Sequence, residues 1–114
     1  MESNELARLI TELALEKKGK QVTKLDLQGL TSMTDYFVVI TGESDTQIKA
    51  IADHILRQLR SQNIRVYHKE GFESLQWVLL DYIDVVVHIL RGEKREFYGL
   101  ERLWADAKIE IITD

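Results

Sequence analysis

A chain of 114 residues, 45% hydrophobic and 30% charged, is sized and composed for one globular domain over residues 1–114. The absence of cysteine excludes disulfides, thiolate metal sites and cysteine nucleophiles. A net charge of -4 and a pI near 5.4 argue against a free nucleic-acid binder, which needs a basic face, and suit attraction to a basic protein.

Leu6, Leu9, Ile10, Leu13 and Ala14 recur at helical spacing and predict an amphipathic first helix. Ser3 or Asn4 would cap it, Glu5 suits the positive end of its dipole, and Gly19 is a left-handed terminator. The opening MESNELARLI is charged and helix-patterned, so it does not read as a secretory leader. No run of about 18 apolar residues is present to span a membrane. A cytoplasmic protein is the expectation.

Residues 22–27 read as a strand, with Val22, Lys24 and Asp26 on one face and Thr23, Leu25 and Leu27 on the other. A loop from 29 to 34 follows. Residues 35–41, DYFVVIT, are apolar on both faces, which marks a central strand. Ser44 and Gln47 form a capping box for a second helix, whose core face is Ile48, Ile51, Ala52, Ile55, Leu56 and Leu59. Asn63 marks its exit, and residues 64–68 read as a short polar edge strand. Residues 77–82 and 84–90 are strands so close together that only a tight hairpin joins them. Gly92 breaks the chain, and Phe97, Leu100, Leu103, Trp104 and Ala107 give a third helical stripe from near Arg95. Residues 109–112 are a short strand or a frayed tail. The order α-β-β-α-β-β-β-α predicts an α/β or α+β layer fold: a mixed sheet with helices packed on it.

Gly42-Glu-Ser44, at a strand-to-helix turn, would suit a phosphate. A nucleotidyltransferase also needs two carboxylates two residues apart on the next strand, to clamp divalent metal. Residues 64–68 lack that pair, and Asp81 and Asp84 are three apart around a turn. The enzymatic alternative, a degenerate or active nucleotide-binding domain, would use Gly42, Ser44, Asp81 and Asp84; the plainer reading is a capped helix start. His54, His68 and His88 share no close spacing and suggest no metal centre. His88, inside VVVHIL, reads as a core or interface imidazole with one satisfied hydrogen bond. Asp35 is a catalytic acid or, more simply, a cap on a loop N–H. No cofactor is expected.

Trp77, Leu79 and Asp81 share one face of their strand, and Val78 and Leu80, which suit the core better, share the other. An exposed Trp–Leu pair marks a contact site, unless the last helix or the loop before residue 77 covers it. Arg95 and Tyr98 are neighbours on one helix face, as an interface anchor or a solvated pair. A self-complementary Trp77 face would also pair two copies of the chain as a homodimer.

These segments together are similar to one known family. Residues 34–44 (TDYFVVITGES), Glu70-Gly71, 77–82 (WVLLDY), 84–88 (DVVVH), 95–98 (REFY) and 100–104 (LERLW) resemble, in order and spacing, the ribosomal silencing factors (RsfS, Iojap-related). The resemblance runs from about Leu6 to Ala107. Ile83 stands where the family usually has Gly, and Gly99 where Asp is usual; a turn needing positive φ would strain a β-branched residue. The resemblance implies a nucleotidyltransferase-like fold without the catalytic acids, and no enzyme. It implies binding to the large ribosomal subunit at large-subunit protein fourteen, which blocks subunit joining and lowers translation when nutrients are scarce. Organellar relatives act in large-subunit assembly. The contact residues implied are Trp77, Leu79, Asp81, Tyr82, Arg95 and Tyr98, with no sequence-specific nucleic-acid contact and no membrane.

Overall fold

The first helix, α1 (Ser3–Glu16), buries Leu6, Ile10, Leu13 and Ala14 of the predicted stripe together with Ala7, while Leu9 is only partly buried. Its N-cap is Glu2 rather than Ser3 or Asn4. The Glu2 N–H donates to Glu5 Oε1 (3.4 Å), while Asn4 Oδ1 accepts from Lys24 Nζ (3.0 Å). At the far end the positive φ falls on Lys18 (63°), not on Gly19. Gly19 is needed for close packing: a Cβ there would lie 2.8 Å from Ile40 Cγ2.

The computed structural model describes residues 1–113, and the side chains of Phe97 and Thr113 lie outside that description. After α1 come β1 (Lys20–Asp26), β2 (Tyr36–Gly42), α2 (Asp45–Arg60), β3 (His68–Glu70), β4 (Trp77–Asp81) and β5 (Val85–Arg91). They are followed by α3 (Gly92–Tyr98), α4 (Leu100–Leu103) and β6 (Lys108–Thr113). The strands form one mixed sheet in the order β3-β4-β5-β2-β1-β6. Only β2 and β5 run parallel among these pairs; the rest are antiparallel. The apolar β2 is central, as its composition requires. Ser44 Oγ accepts from Gln47 N–H (3.1 Å) and caps α2 as predicted, but the return bond of the expected capping box is displaced by one residue: Gln47 Oε1 accepts from Glu43 N–H (2.6 Å), not from Ser44 N–H.

Alternation divides the sheet into two faces. Val22, Val38, Ile40, Val78, Leu80, Val85, Val87 and Ile89 point toward α1 and α2, and all are fully buried. Leu25, Leu27, Val39 and Leu90 point the other way, where Leu100 and Ala107 join them with half-buried Phe37, Trp77 and Trp104. Among the described residues no helix is long and apolar enough to cross a membrane.

Two predicted elements are displaced. The edge strand is His68–Glu70, not 64–68. Ile64 and Val66 turn inward against the core, and pairing with β4 begins only at His68 opposite Asp81. The third helical stripe is not one helix. Gly99 adopts φ 58° and separates α3 from α4, which leaves Leu103 71% exposed. Gly92 begins α3 instead of breaking the chain, and residues 109–112 belong to a true edge strand, β6.

Candidate functional site

The face of the sheet away from α1 and α2 is only partly covered. Trp77, Leu79 and Asp81 of β4 lie on it beside Val86, His88 and Leu90 of β5 and Phe37 of β2. α3 and α4 cover one side of this surface. The remainder is a groove of about 570 Å³ whose walls include Leu79, Val86, Phe37 and Trp104. Exposed Met33, Tyr67 and Ile83 stand on its rim. Its one charged lining residue is Asp81.

One aromatic chain ties the groove to the last helices. The Tyr98 and Trp77 rings lie 4.5 Å apart, Trp77 and His88 5.8 Å, His88 and Phe37 4.5 Å, and Phe37 and Trp104 6.2 Å. Trp77 Nε1–H donates to His88 Nδ1 (3.0 Å). Burial lowers the His88 pKa to about 4, so the ring is neutral near pH 7. With Nδ1 accepting, its proton sits on Nε2. This is the imidazole with one satisfied hydrogen bond that the sequence suggests; Nε2 is buried without a protein partner.

The hairpin between β4 and β5 sets one end of the groove. Asp84 N–H donates to Tyr82 O (2.9 Å), which closes a very tight turn and drives Ile83 to φ 74°. Asp81 Oδ1 accepts from Ile83 N–H (2.7 Å) and holds that turn from its side chain. Just after β3, Gly71 has φ 92°, and a Cβ there would collide with the Trp77 carbonyl at the start of β4. That close approach fixes where Trp77 enters the sheet.

Tyr82 and Arg95 do not share the exposed surface implied for them. Strand alternation sends Tyr82 to the helix-covered face, where it is 7% exposed and desolvation raises its pKa to about 12. Arg95 turns into the sheet, its side chain 8% exposed. Its guanidinium donates to Gln21 O (2.7 Å), Thr41 Oγ1 (2.9 Å) and Thr23 Oγ1 (2.9 Å), and pairs with both Glu101 oxygens (2.7 and 3.2 Å). A bulge in β1 at Gln21, with φ 49°, makes that carbonyl available. Arg95 thus locks α3 and α4 onto the sheet, while Tyr98, 49% exposed, packs against Trp77 with the rings tilted by 48°.

The residues of the enzymatic alternative are far apart. Gly42 pairs with Arg91, whereas Asp84 precedes Val85 at the other end of the same parallel ladder. Seven strand residues separate the two levels, roughly 20 Å. Asp81 is occupied with the hairpin, and Ser44 with its helix cap. Among the described residues no group of three or more His, Cys, Asp or Glu converges to hold a metal ion. The cap expected of Asp35 is made by its neighbours: Asp26 Oδ1 accepts from Gln28 N–H (3.0 Å) and Thr31 Oγ1 from Met33 N–H (3.2 Å).

Residues 1–114 match the family described as "Ribosomal silencing factor during starvation" (RsfS). The chain belongs to this ribosomal silencing factor family. It is similar to a protein of Halalkalibacterium halodurans named "Ribosomal silencing factor RsfS", 37% identical over 107 residues, covering 94% of this chain and 92% of that protein. A crystal structure of a Chromobacterium violaceum protein superposes with a TM-score of 0.89 at 36% identity, covering 100% of this chain and 95% of that one. A more distant relative from Mus musculus is named "Mitochondrial assembly of ribosomal large subunit protein 1". It is 26% identical over 99 residues, 84% of this chain and 43% of that protein.

In this silencing-factor chain the groove recruits residues that sequence reasoning had not assigned to a contact: Phe37, Met33, Thr34, Tyr67 and Trp104. The loop carrying Met33 is held by local hydrogen bonds, Leu30 and Thr31 N–H to Leu27 O and Met33 N–H to Thr31 Oγ1, and no hydrophobic period runs through it to mark which residues reach the groove. His88 was findable. It has the parity of Val86 and Leu90, and it stands directly across from Leu79.

Proposed function

We propose that this ribosomal silencing factor represses translation by seating the open face of its sheet on the large ribosomal subunit, at large-subunit protein fourteen. The bound domain stands where the small subunit must dock, so the block is steric and needs no catalysis. Family membership supports a silencing role. The observation that carries the surface assignment is the apolar groove at Leu79, next to the Trp77–Tyr98 ring contact, unfilled by the chain's own side chains. Leu79 in the groove and Trp77 beside it supply apolar anchors, Tyr98 packs against Trp77, and Asp81 places one negative charge at the edge for a basic partner. Tyr82 and Arg95 act from beneath, by holding the hairpin and the last helices. An acidic chain is repelled by surrounding RNA, which favours a protein landing site on cytoplasmic ribosomes.

Sedimentation with isolated large subunits, small subunits and joined ribosomes tests this. Wild type is expected with large subunits only. Trp77→Ala is expected to weaken that association by about 2 kcal/mol, roughly thirtyfold. Failure to travel with any particle would overturn the reading.

A further inference from the structure

Among the described residues, three buried side-chain polar atoms lack a hydrogen-bond partner: Thr34 Oγ1, Tyr82 Oη and His88 Nε2. Tyr82 belongs to the helix-covered face. The other two both line the open groove. An indole N–H only donates, so the Trp77 bond forces His88 to present Nε2–H. The neighbouring rings of Phe37 and Trp77 offer that proton no acceptor. Thr34 is 8% exposed and His88 4% exposed. The fold gains nothing from either polar atom, since an apolar group of the same shape would remove a desolvation cost.

Their spacing has a direction. Asp35 N–H donates to Asp84 O, which fixes Thr34 near the hairpin end of the groove. His88 lies four strand residues further along β5, about 13 Å at strand rise. An extended polypeptide offers carbonyls and N–H groups at that same rise. A phosphate-rich occupant fits poorly, because the one fixed charge on the lining is the Asp81 carboxylate. We infer that the groove is a slot for an extended segment of the protein partner, selected by two buried hydrogen-bond positions, His88 Nε2–H and the Thr34 hydroxyl. The inference rests on the proposed large-subunit contact and adds what that contact reads: main-chain polarity between apolar walls. A neutral His88 keeps the donor present across the physiological range.

The test is binding of Thr34→Val, His88→Phe and His88→Gln to large subunits and to large-subunit RNA stripped of protein, alongside thermal unfolding of each variant. Thr34→Val and His88→Phe are each expected to lose about tenfold in affinity for large subunits, the cost of leaving a partner group unpaired. Thr34→Val should melt at or above the wild-type temperature, which separates a binding role from a structural one. His88→Gln supplies an amide acceptor for Trp77 and a donor toward the groove, and should stay within about threefold of wild type. Should His88→Phe fail to fold, Thr34→Val decides. Wild-type affinity in Thr34→Val and in any folded His88→Phe overturns the slot and leaves the proposed function standing. Binding to stripped RNA that Thr34→Val abolishes overturns it in favour of a nucleic-acid occupant. No binding by wild type removes both readings.

Discussion

The two faces of one sheet are built from the same strands and finished in opposite ways. Toward α1 and α2 the strands present Val, Leu and Ile almost throughout, with Tyr36 at the start of β2, buried against the aliphatic stripes of both helices. Toward α3 and α4 they present Phe37, Trp77, His88, Leu79 and Val86, with incomplete cover and two orphaned polar atoms in the groove. Aliphatic side chains fill volume without preferring a partner. Rings and buried donors prefer particular geometries, which is the property an interface needs. The closed face therefore carries stability, and the open face is where the proposed partner contact would be selected.

The sharpest way to break this contrast is to compare truncations across it. Ile51 on α2 is fully buried, and Ile51→Ala should cost about 2–5 kcal/mol in urea unfolding through the cavity it leaves. Met33, at the groove rim, is 84% exposed, so Met33→Ala should stay within about 0.5 kcal/mol. Comparable losses at both positions would mean that the open face is core after all.

A smaller effect comes from pH. His88 has a folded-state pKa near 4 against an ordinary value of 6.5. Between those values the unfolded chain binds a proton that the folded chain refuses. Stability should therefore fall as pH drops from about 6.5 to 4, by at most about 3 kcal/mol from this group. Unfolding measured across that interval should show a shallower slope for His88→Phe than for wild type. Parallel slopes would place the imidazole in a wetter setting than its contacts with Trp77 and Phe37 allow.

Alternation alone made both faces legible in residues 77–81. Val78 and Leu80 go in, and Trp77 and Leu79 go out. The same rule assigns Tyr82 to the core, whereas the family resemblance implies a contact role for the whole 77–82 block. Arg95 was beyond local reading, because its partners Thr23 and Gln21 lie 72 and 74 residues away and are positioned by a bulge. The β3 boundary depended on its partner strand, not on its own composition. The break at Gly99 was readable as a left-handed stop, but the apolar stripe running past it suggested continuity.

The hairpin sharpens the comparison at its smallest scale. Ile83 holds φ 74°, a region that costs a β-branched residue about 1–3 kcal/mol. Glycine would relieve that strain but would give the unfolded chain back roughly 0.5–1 kcal/mol of entropy. Ile83→Gly should therefore stabilise the domain by about 1 kcal/mol in chemical denaturation, whereas Ile83→Ala keeps the strained φ and should gain little. The native side chain is 55% exposed and lines the groove, so nothing in the core requires it. A variant that is more stable yet binds large subunits less tightly would show the strain being held for the contact surface. A less stable Ile83→Gly would mean that the isoleucine packs for the fold, and would move the hairpin to the structural side of the division.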